Sequence, residues 1–409
     1  MSPRQETHKP RHCMIVFALY PYAETRVQRE AEALVQHGYQ VDVICPTRPG
    51  FAPVDKHNGV NIYRVAKTWQ RREKKGIVIQ LLDYLAFFFL AFLKVARLHI
   101  RRNYDLVQTH NVPDFLVFSA LIPKLFGARI ILDLHDLMPE FYQGRTGQDP
   151  DSLLLRLILL QERLSCRFAD HVITVTEHWR QALIQRGIPP DKCSVVMNLA
   201  DNRIFQADLI QKAARSNGDP FRLFYHGYMP KRYGLDLILQ AMHKIRSEIP
   251  NIHLTLVGGG EYRETLIRLS AELNLQNGHV EFIRTLPVEQ LPPLIAAADV
   301  AVVPYRDDPF ADTLLPTKLM EYAAMGLPAI VARTTAISIY FDDSMVKFFK
   351  PGDVDDLARC IIELHNDPQQ IMNLSNGIRR FNEHYNWQKQ SEAYARVVDR
   401  LAAGKRRNE

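Results

Sequence analysis

Short apolar runs recur along this chain, and between them lie longer stretches in which apolar positions return every three or four residues. His12–Ala18, Tyr39–Cys45, Val60–Val65, Tyr104–His110, Ala128–His135, Asp170–Val175 and Cys193–Met197 have the length and branched-residue content of strands. Thr25–His37 and Glu177–Arg186 carry the spacing of helices packed on one side. Gln206–Pro220 is polar and reads as a linker. Beyond it the alternation restarts, with strands at Phe221–His226, Ile252–Val257, Val280–Arg284, Val300–Pro304 and Ala329–Ala332. Helices are expected over Leu235–Ile249, from Glu261 to Asn274, and over Pro287–Ala298. Strands alternating with helices twice over predict an α/β chain of two doubly wound domains that face across a cleft. The expected domains are residues 1–205 and 206–384, with a terminal segment, 385–409, packing back on the first. No short-period repeat is present.

The most apolar segment is Ile77–Leu98, which includes four phenylalanines. Gln80, Asp83 and Lys94 interrupt it, so its uninterrupted part is too short to span a bilayer. A buried core helix accounts for part of it. A lipid-contacting helix is composed in the same way when basic residues bracket it, and here Arg71–Lys75 and Arg97–Arg102 do so.

Charge sharpens that second possibility. The net charge is +6, and residues 1–200 hold 26 Lys and Arg against 19 Asp and Glu, so the excess lies in the first half. A concentrated basic patch points to an anionic surface. Nucleic acid is disfavoured, because the cations flank an apolar helix without stacking aromatics interleaved on a sheet. The five cysteines are scattered without metal-type spacing and read as buried thiols of a reducing compartment. The polar N-terminus has no signal-peptide pattern, and the cytoplasm is the expected location, with the inner membrane face as a peripheral site.

Candidate chemistry falls at strand ends. Asp308–Arg333 reads as a loop, a short helix starting at Pro316, a closing Gly326 and a buried strand. A helix N-terminus presents unpaired N–H groups to an anion, and Thr317 and Lys318 lie there. Glu321, a carboxylate in an apolar helix, needs a partner, either a sugar hydroxyl pair or an Arg of the core. The loop Gly227–Gly234 carries Lys231 and Arg232 between glycines, suited to a diphosphate, and Gly259 lies in a second close-approach loop, Gly258–Gly260. In the first half, two strands end in His110-Asn111 and His135-Asp136, with Glu140 following. These residues offer metal ligands, acid/base groups or hydroxyl binders, or else strand caps. Asp353-Val-Asp355 opens a helix after Pro351-Gly352 and reads as an N-cap, not a metal motif.

Over nearly its whole length, from Val16 to about Leu401, the chain resembles the family 4 glycosyltransferases. The resemblance rests on Arg26-Val-x-Arg-Glu30, Thr109-His-Asn-Val-Pro-Asp114, His135-Asp-Leu-Met-Pro-Glu140, Asn198, Asp201 and Lys318-Leu-Met-Glu-Tyr-Ala-Ala-Met-Gly-Leu-Pro328. It implies the GT-B fold of two Rossmann-like domains and retaining transfer from a nucleotide-diphosphate sugar, with neither metal nor other cofactor. It assigns Glu321 to the ribose, and Gly227, Gly259, Thr317 and Lys318 to the donor. The family's first motif Glu falls at Thr313, and its diphosphate Arg and Lys fall at Tyr228 and Tyr233. Lys231 and Arg232 would take over the diphosphate, with His110 completing the catalytic set. Arg26, Asn111, His135, Asp136 and Glu140 would lie on the acceptor side, and the basic-flanked apolar helix would suit a lipid-linked acceptor. A nucleotide-sugar 2-epimerase and a non-catalytic partner of the same fold remain alternatives.

Overall fold

Apolar runs become two sheets in the computed structural model, which describes residues 9–22, 24–67, 77–146, 152–206, 218–276 and 278–406. The basic cluster Arg71–Lys75 and most of the linker, residues 207–217, lie outside the described residues. The chain divides into two units, Met1–Met197 with Gln388–Glu409, and Asn198–Trp387, so the first ends before residue 205.

The first unit holds β1 (Arg11–Val16), β2 (Gln40–Thr47), β3 (Val54–His57), β4 (Val60–Lys67), β5 (Leu106–His110), β6 (Arg129–Leu134), β7 (His171–Thr174) and β8 (Cys193–Val195). Their order is β3-β4-β2-β1-β5-β6-β7-β8. Every pairing is parallel except the β3–β4 hairpin at the edge. Cys13 to Val16, Leu106, Val107 and Ile130 to Leu132 are buried, as a sheet covered on both faces requires. β3, Val-Asp-Lys-His, is exposed at its first three residues and too polar to announce itself. A helix over Leu153–Phe168, capped by Ser152, is also absent from the expected elements.

The second unit holds β9 (Phe221–His226), β10 (Ile252–Val257), β11 (Val280–Ile283), β12 (Val300–Val303), β13 (Ala329–Ala332) and β14 (Lys347–Phe349). All are parallel, in the order β11-β10-β9-β12-β13-β14. In both sheets the chain leaves a central strand in two directions. The reversal falls between β1 and β5 in one unit and between β9 and β12 in the other. Loops diverge at such a point and leave a crevice at the strand carboxyl ends.

The last helix, Trp387–Arg406, belongs almost wholly to the first unit. Its Tyr394 Oη donates to Gln108 Oε1 (2.6 Å), and its Asp399 accepts from Tyr39 Oη (2.5 Å). The helix Ile77–Arg102 turns Phe87, Ala91, Val95 and Leu98 into the core, one residue per turn. Taken from Ile79 to Arg102 it is long and apolar enough to cross a membrane, contrary to the expectation from its uninterrupted apolar part alone. Only 17% of its most apolar stretch is buried, so core packing accounts for one side of it and leaves Phe89 60% exposed.

Candidate active site

In the second unit the helix Thr317–Met325 starts after Pro316 and ends at Gly326, whose φ of 66° is the left-handed cap that glycine adopts without strain. Its first turn places Lys318 against the carboxyl end of β9. The ammonium lies 5.0 Å from the ring centre of Tyr225 and 5.1 Å from that of Tyr233. Burial pushes Lys318 down to about 8, although Glu321 opposes the shift. Gly227 leaves the space: a Cβ there would meet Lys318 Cε at 3.2 Å.

Glu321 finds its partner within this unit, and it is a histidine rather than an Arg. His226 Nε2 hydrogen-bonds Glu321 Oε2, while its Nδ1 meets Tyr322 Oη at 3.1 Å. Nothing in the sequence singled out His226; its only signal is a polar residue closing an apolar strand before a glycine.

Two glycine loops complete this half. A Cβ at Gly258 would collide with the Gly227 carbonyl, and one at Gly234 with that of Pro304, so the loops after β9, β10 and β12 close on one another. Gly259 itself has ordinary room, since a Cβ there would meet Thr285 Oγ1 at 3.5 Å. Lys231 and Arg232 diverge. Lys231 is exposed, whereas Arg232 lies over the Phe310 ring (5.1 Å) with Nη1 buried and without a hydrogen bond. Asp308 caps the turn Pro309–Asp312, and Asp312 Oδ1 accepts from Thr335 N, so each carboxylate holds backbone. Asp353 caps its helix through the N–H groups of Asp355 and Asp356.

In the first unit the strand-end residues converge on Asp133, which the sequence did not single out. His110 Nδ1 and His135 Nε2 lie 3.0 and 3.1 Å from Asp133 Oδ2, and 3.1 Å from each other. Arg26 closes the cluster, donating to both Asp133 oxygens (3.0 and 2.9 Å) and to the Val196 carbonyl (2.7 Å). Its guanidinium also meets Glu30 at 3.1 Å. Arg26 is 1% exposed, so its charge is neutralised inside the unit rather than offered on an acceptor-facing surface. Burial alone would raise Asp133, but Arg26, His135 and His110 outweigh it and hold the carboxylate well below its ordinary value. Burial lowers His110 to about 4, whereas Asp133 and Glu24 raise His135 against its own burial.

His110, Asp133 and His135 are close enough to hold one ion, with donor atoms within 4.8 Å. Both Asp133 oxygens already accept from Arg26, which brings to the cluster the charge a metal would bring. Asn111 stitches the two loops: its Oδ1 accepts from His135 N (2.7 Å) and its Nδ2 donates to Asp114 Oδ1 (2.9 Å). Asp136 lies half-buried beside His135, pushed up to about 6 by burial. Glu140 departs from this group. It pairs with Arg186, which also binds Glu162.

Residues 23–198 match the family described as Glycosyl transferase 4-like domain, and residues 206–381 match Glycosyl transferases group 1. The chain belongs to the family 4 glycosyltransferases. The chain is 32% identical over 142 residues to the GDP-mannose-dependent alpha-(1-6)-phosphatidylinositol monomannoside mannosyltransferase of Mycolicibacterium smegmatis. That match covers 34% of the chain and 37% of the relative, and the chain spans 54% and 61% of two further curated relatives. Among solved structures, sucrose-phosphate synthase from Thermosynechococcus elongatus superposes with a TM-score of 0.75 at 22% identity, covering 97% of this chain and 100% of that one. Anabaena HepE in complex with UDP-glucose gives 0.68 at 17% identity, covering 95% and 99%. These likenesses identify the fold as GT-B.

Proposed function

We propose that this glycosyltransferase moves a hexose from a nucleoside-diphosphate sugar to a lipid-linked acceptor, with retention of configuration and without a metal. The observation that carries the reading is the cradle at the β9/β12 divergence. There Lys318, the start of its helix, Arg232 and the glycine loops offer positive charge and N–H groups, and Glu321 offers a carboxylate braced by His226. In the transfer the bond from the sugar's anomeric carbon to the diphosphate oxygen breaks, and one to the acceptor oxygen forms. The acceptor's proton leaves on a phosphate oxygen. Charge develops on the diphosphate, where fixed cations lower the barrier most. His110, Arg232 and Lys231 are the catalytic set of this reading, and Gly227, Gly259, Thr317, Lys318 and Glu321 hold the donor. Asn111, His135, Asp136 and Glu140 belong to the acceptor side, with Arg26 acting through Asp133.

A lipid-linked acceptor is supported by the half-exposed apolar helix Ile77–Arg102 and by the phosphatidylinositol monomannoside in the mycobacterial relative's name. Five buried free cysteines favour a cytoplasmic setting at the membrane face.

The test is a panel of UDP- and GDP-sugars with a lipid extract as acceptor, read by product mass and anomeric NMR. Glycolipid formed with the donor's anomeric configuration, and unaffected by chelator, is expected. Epimer formation without acceptor overturns the transferase reading. A Glu321→Ala protein that transfers like wild type removes this cradle as the donor site.

A further inference from the structure

Three elements of the first unit present large apolar side chains outward on one side of the sheet. The crossovers β4→β5, β5→β6 and β6→β7 all run the same way across the strand order, so right-handed connections set them on the same face. These crossovers contain the helix Ile77–Arg102, the turns at Asp114–Leu125 and the helix Leu153–Phe168. Ring contacts confirm their adjacency: Phe88 meets Phe115 at 6.0 Å, and Phe118 meets Phe168 at 5.1 Å.

Leu82, Phe89 and Leu93 are exposed on the first helix, and Leu125 is 71% exposed on the turn. On the second helix Leu153, Leu157, Leu160 and Leu164 recur every three or four residues and are all exposed. Scattered surface leucines need no explanation, but a stripe of this kind on each of two neighbouring helices does.

The charges on this face choose its occupant. Among the described residues, every exposed charged side chain on the three elements is an arginine: Arg97, Arg101, Arg156, Arg163 and Arg167. The acids on the same elements are turned in: Glu162 and Asp114 are buried, and Asp83 is half-buried. A second copy docked about a twofold axis would set this arginine rim against itself with no acid between. A bilayer with anionic headgroups accepts both parts, the leucines among acyl chains and the arginines among phosphates.

We infer that this face, with the helix Leu153–Phe168 as its second contact, docks the chain flat on an anionic lipid surface. The inference rests on the proposed use of a lipid-linked acceptor, and it gives that acceptor a route to the first unit.

Flotation of the full chain tests it, with neutral phosphatidylcholine vesicles and with vesicles that are about a third phosphatidylglycerol. Wild type is expected to float with the second and much less with the first. Leu153→Ser/Leu157→Ser/Leu160→Ser/Leu164→Ser should lower the bound fraction by about tenfold or more. Arg156→Gln/Arg163→Gln/Arg167→Gln alters exposed side chains only, which guards against misfolding, and should erase the preference for anionic vesicles. Nucleotide affinity should stay at the wild-type value in both variants, because its cradle is in the other unit. A leucine variant that floats like wild type overturns the inference, as does a wild type that floats with neither vesicle. Loss of a dimer in light scattering, without flotation, also overturns it in favour of a second copy. A chain that turns over a nucleotide sugar yet never floats refutes the docking face alone. One that floats yet binds no nucleotide refutes the transferase reading instead.

Discussion

Lys318 places its ammonium 5.1 Å from the ring centre of Tyr233, the position to which the family resemblance assigns a diphosphate-binding lysine. The cation reaches the same loop from the helix start, and the tyrosines beside it replace water. A caged ammonium pays in desolvation, which is why Lys318 is lowered to about 8. Its charged form attracts a diphosphate, so nucleoside-diphosphate affinity is expected to fall as pH rises through about 8. Binding above that pH should take up a proton, visible by calorimetry in buffers of different ionisation enthalpy. Lys318→Met should weaken binding by about tenfold or more at pH 7 and flatten the profile. Stability without ligand has the opposite sign. Between about 8 and the ordinary 10.5 the unfolded lysine keeps a proton that the folded one has lost, so this group stabilises the fold as pH rises. A Lys318→Met protein with an unchanged pH profile rules out this assignment.

Glu321 and His226 form the other fixed contact of the cradle. Removing the carboxylate leaves His226 short of a partner and the ligand short of an acceptor. Glu321→Ala is expected to reduce nucleotide affinity by about 10- to 100-fold, the range of one lost hydrogen bond to a charged group. Glu321→Gln keeps the shape and one acceptor oxygen, and should lie between. His226→Phe should reproduce part of the loss without touching the ligand. Titration with UDP and GDP followed by tryptophan fluorescence or calorimetry measures all three, and equal affinities across the set would dismiss Glu321 as a donor residue.

Much of this was readable in the chain. Pro316, Gly326 and Pro328 punctuate the Lys318–Glu321 helix by local stereochemistry, and local rules carry local structure. Strand runs such as Val300–Val303 are apolar throughout because both faces are covered, so they declare themselves. What a local pattern lacks is the partner. His226, at the end of β9, meets Glu321 across nearly a hundred positions of sequence, and Tyr394 meets Gln108 across far more. Asp133 sits inside the run Arg-Ile-Ile-Leu-Asp-Leu, where it looks like a blemish in a strand; only Arg26, from a distant helix, explains it. Leu153–Phe168 gave no such signal, since its nearly unbroken series of apolar residues hides which side is covered, and five of its leucines face outward.

Arg26 and Asp133 should behave as a buried pair whose halves depend on each other. Each is at most 1% exposed, and Arg26→Ala would leave Asp133 beside Glu30 with only His135 to offset its charge. The expected cost is about 3–5 kcal/mol, read from urea unfolding of the first unit. Asp133→Asn should cost a similar amount by leaving the guanidinium under-paired. The double variant Arg26→Met/Asp133→Asn should cost less than the two single changes added together, because neither charge then remains alone. Strict additivity would show that the two residues are stabilised by other partners.

His110 and His135 share one carboxylate yet should titrate far apart. Burial lowers His110 to about 4, so it is neutral at pH 6, while Asp133 and Glu24 raise His135 above the ordinary 6.5. The signs for stability differ as well. The His135 contribution is present below 6.5 and is lost as pH rises through its raised folded value. The His110 contribution is present above 6.5 and is lost as pH falls towards 4, since the unfolded imidazole gains a proton that the folded one refuses. Imidazole NMR of the full chain, with His110→Gln and His135→Gln for assignment, should show one ring neutral at pH 6 and the other charged beyond pH 6.5. Asp133→Asn removes the shared acceptor and should bring His135 below the ordinary value, because burial then acts unopposed by its main partner. If His135 kept its raised value without the Asp133 charge, Glu24 rather than Asp133 would be the group that sets the protonation of this cluster.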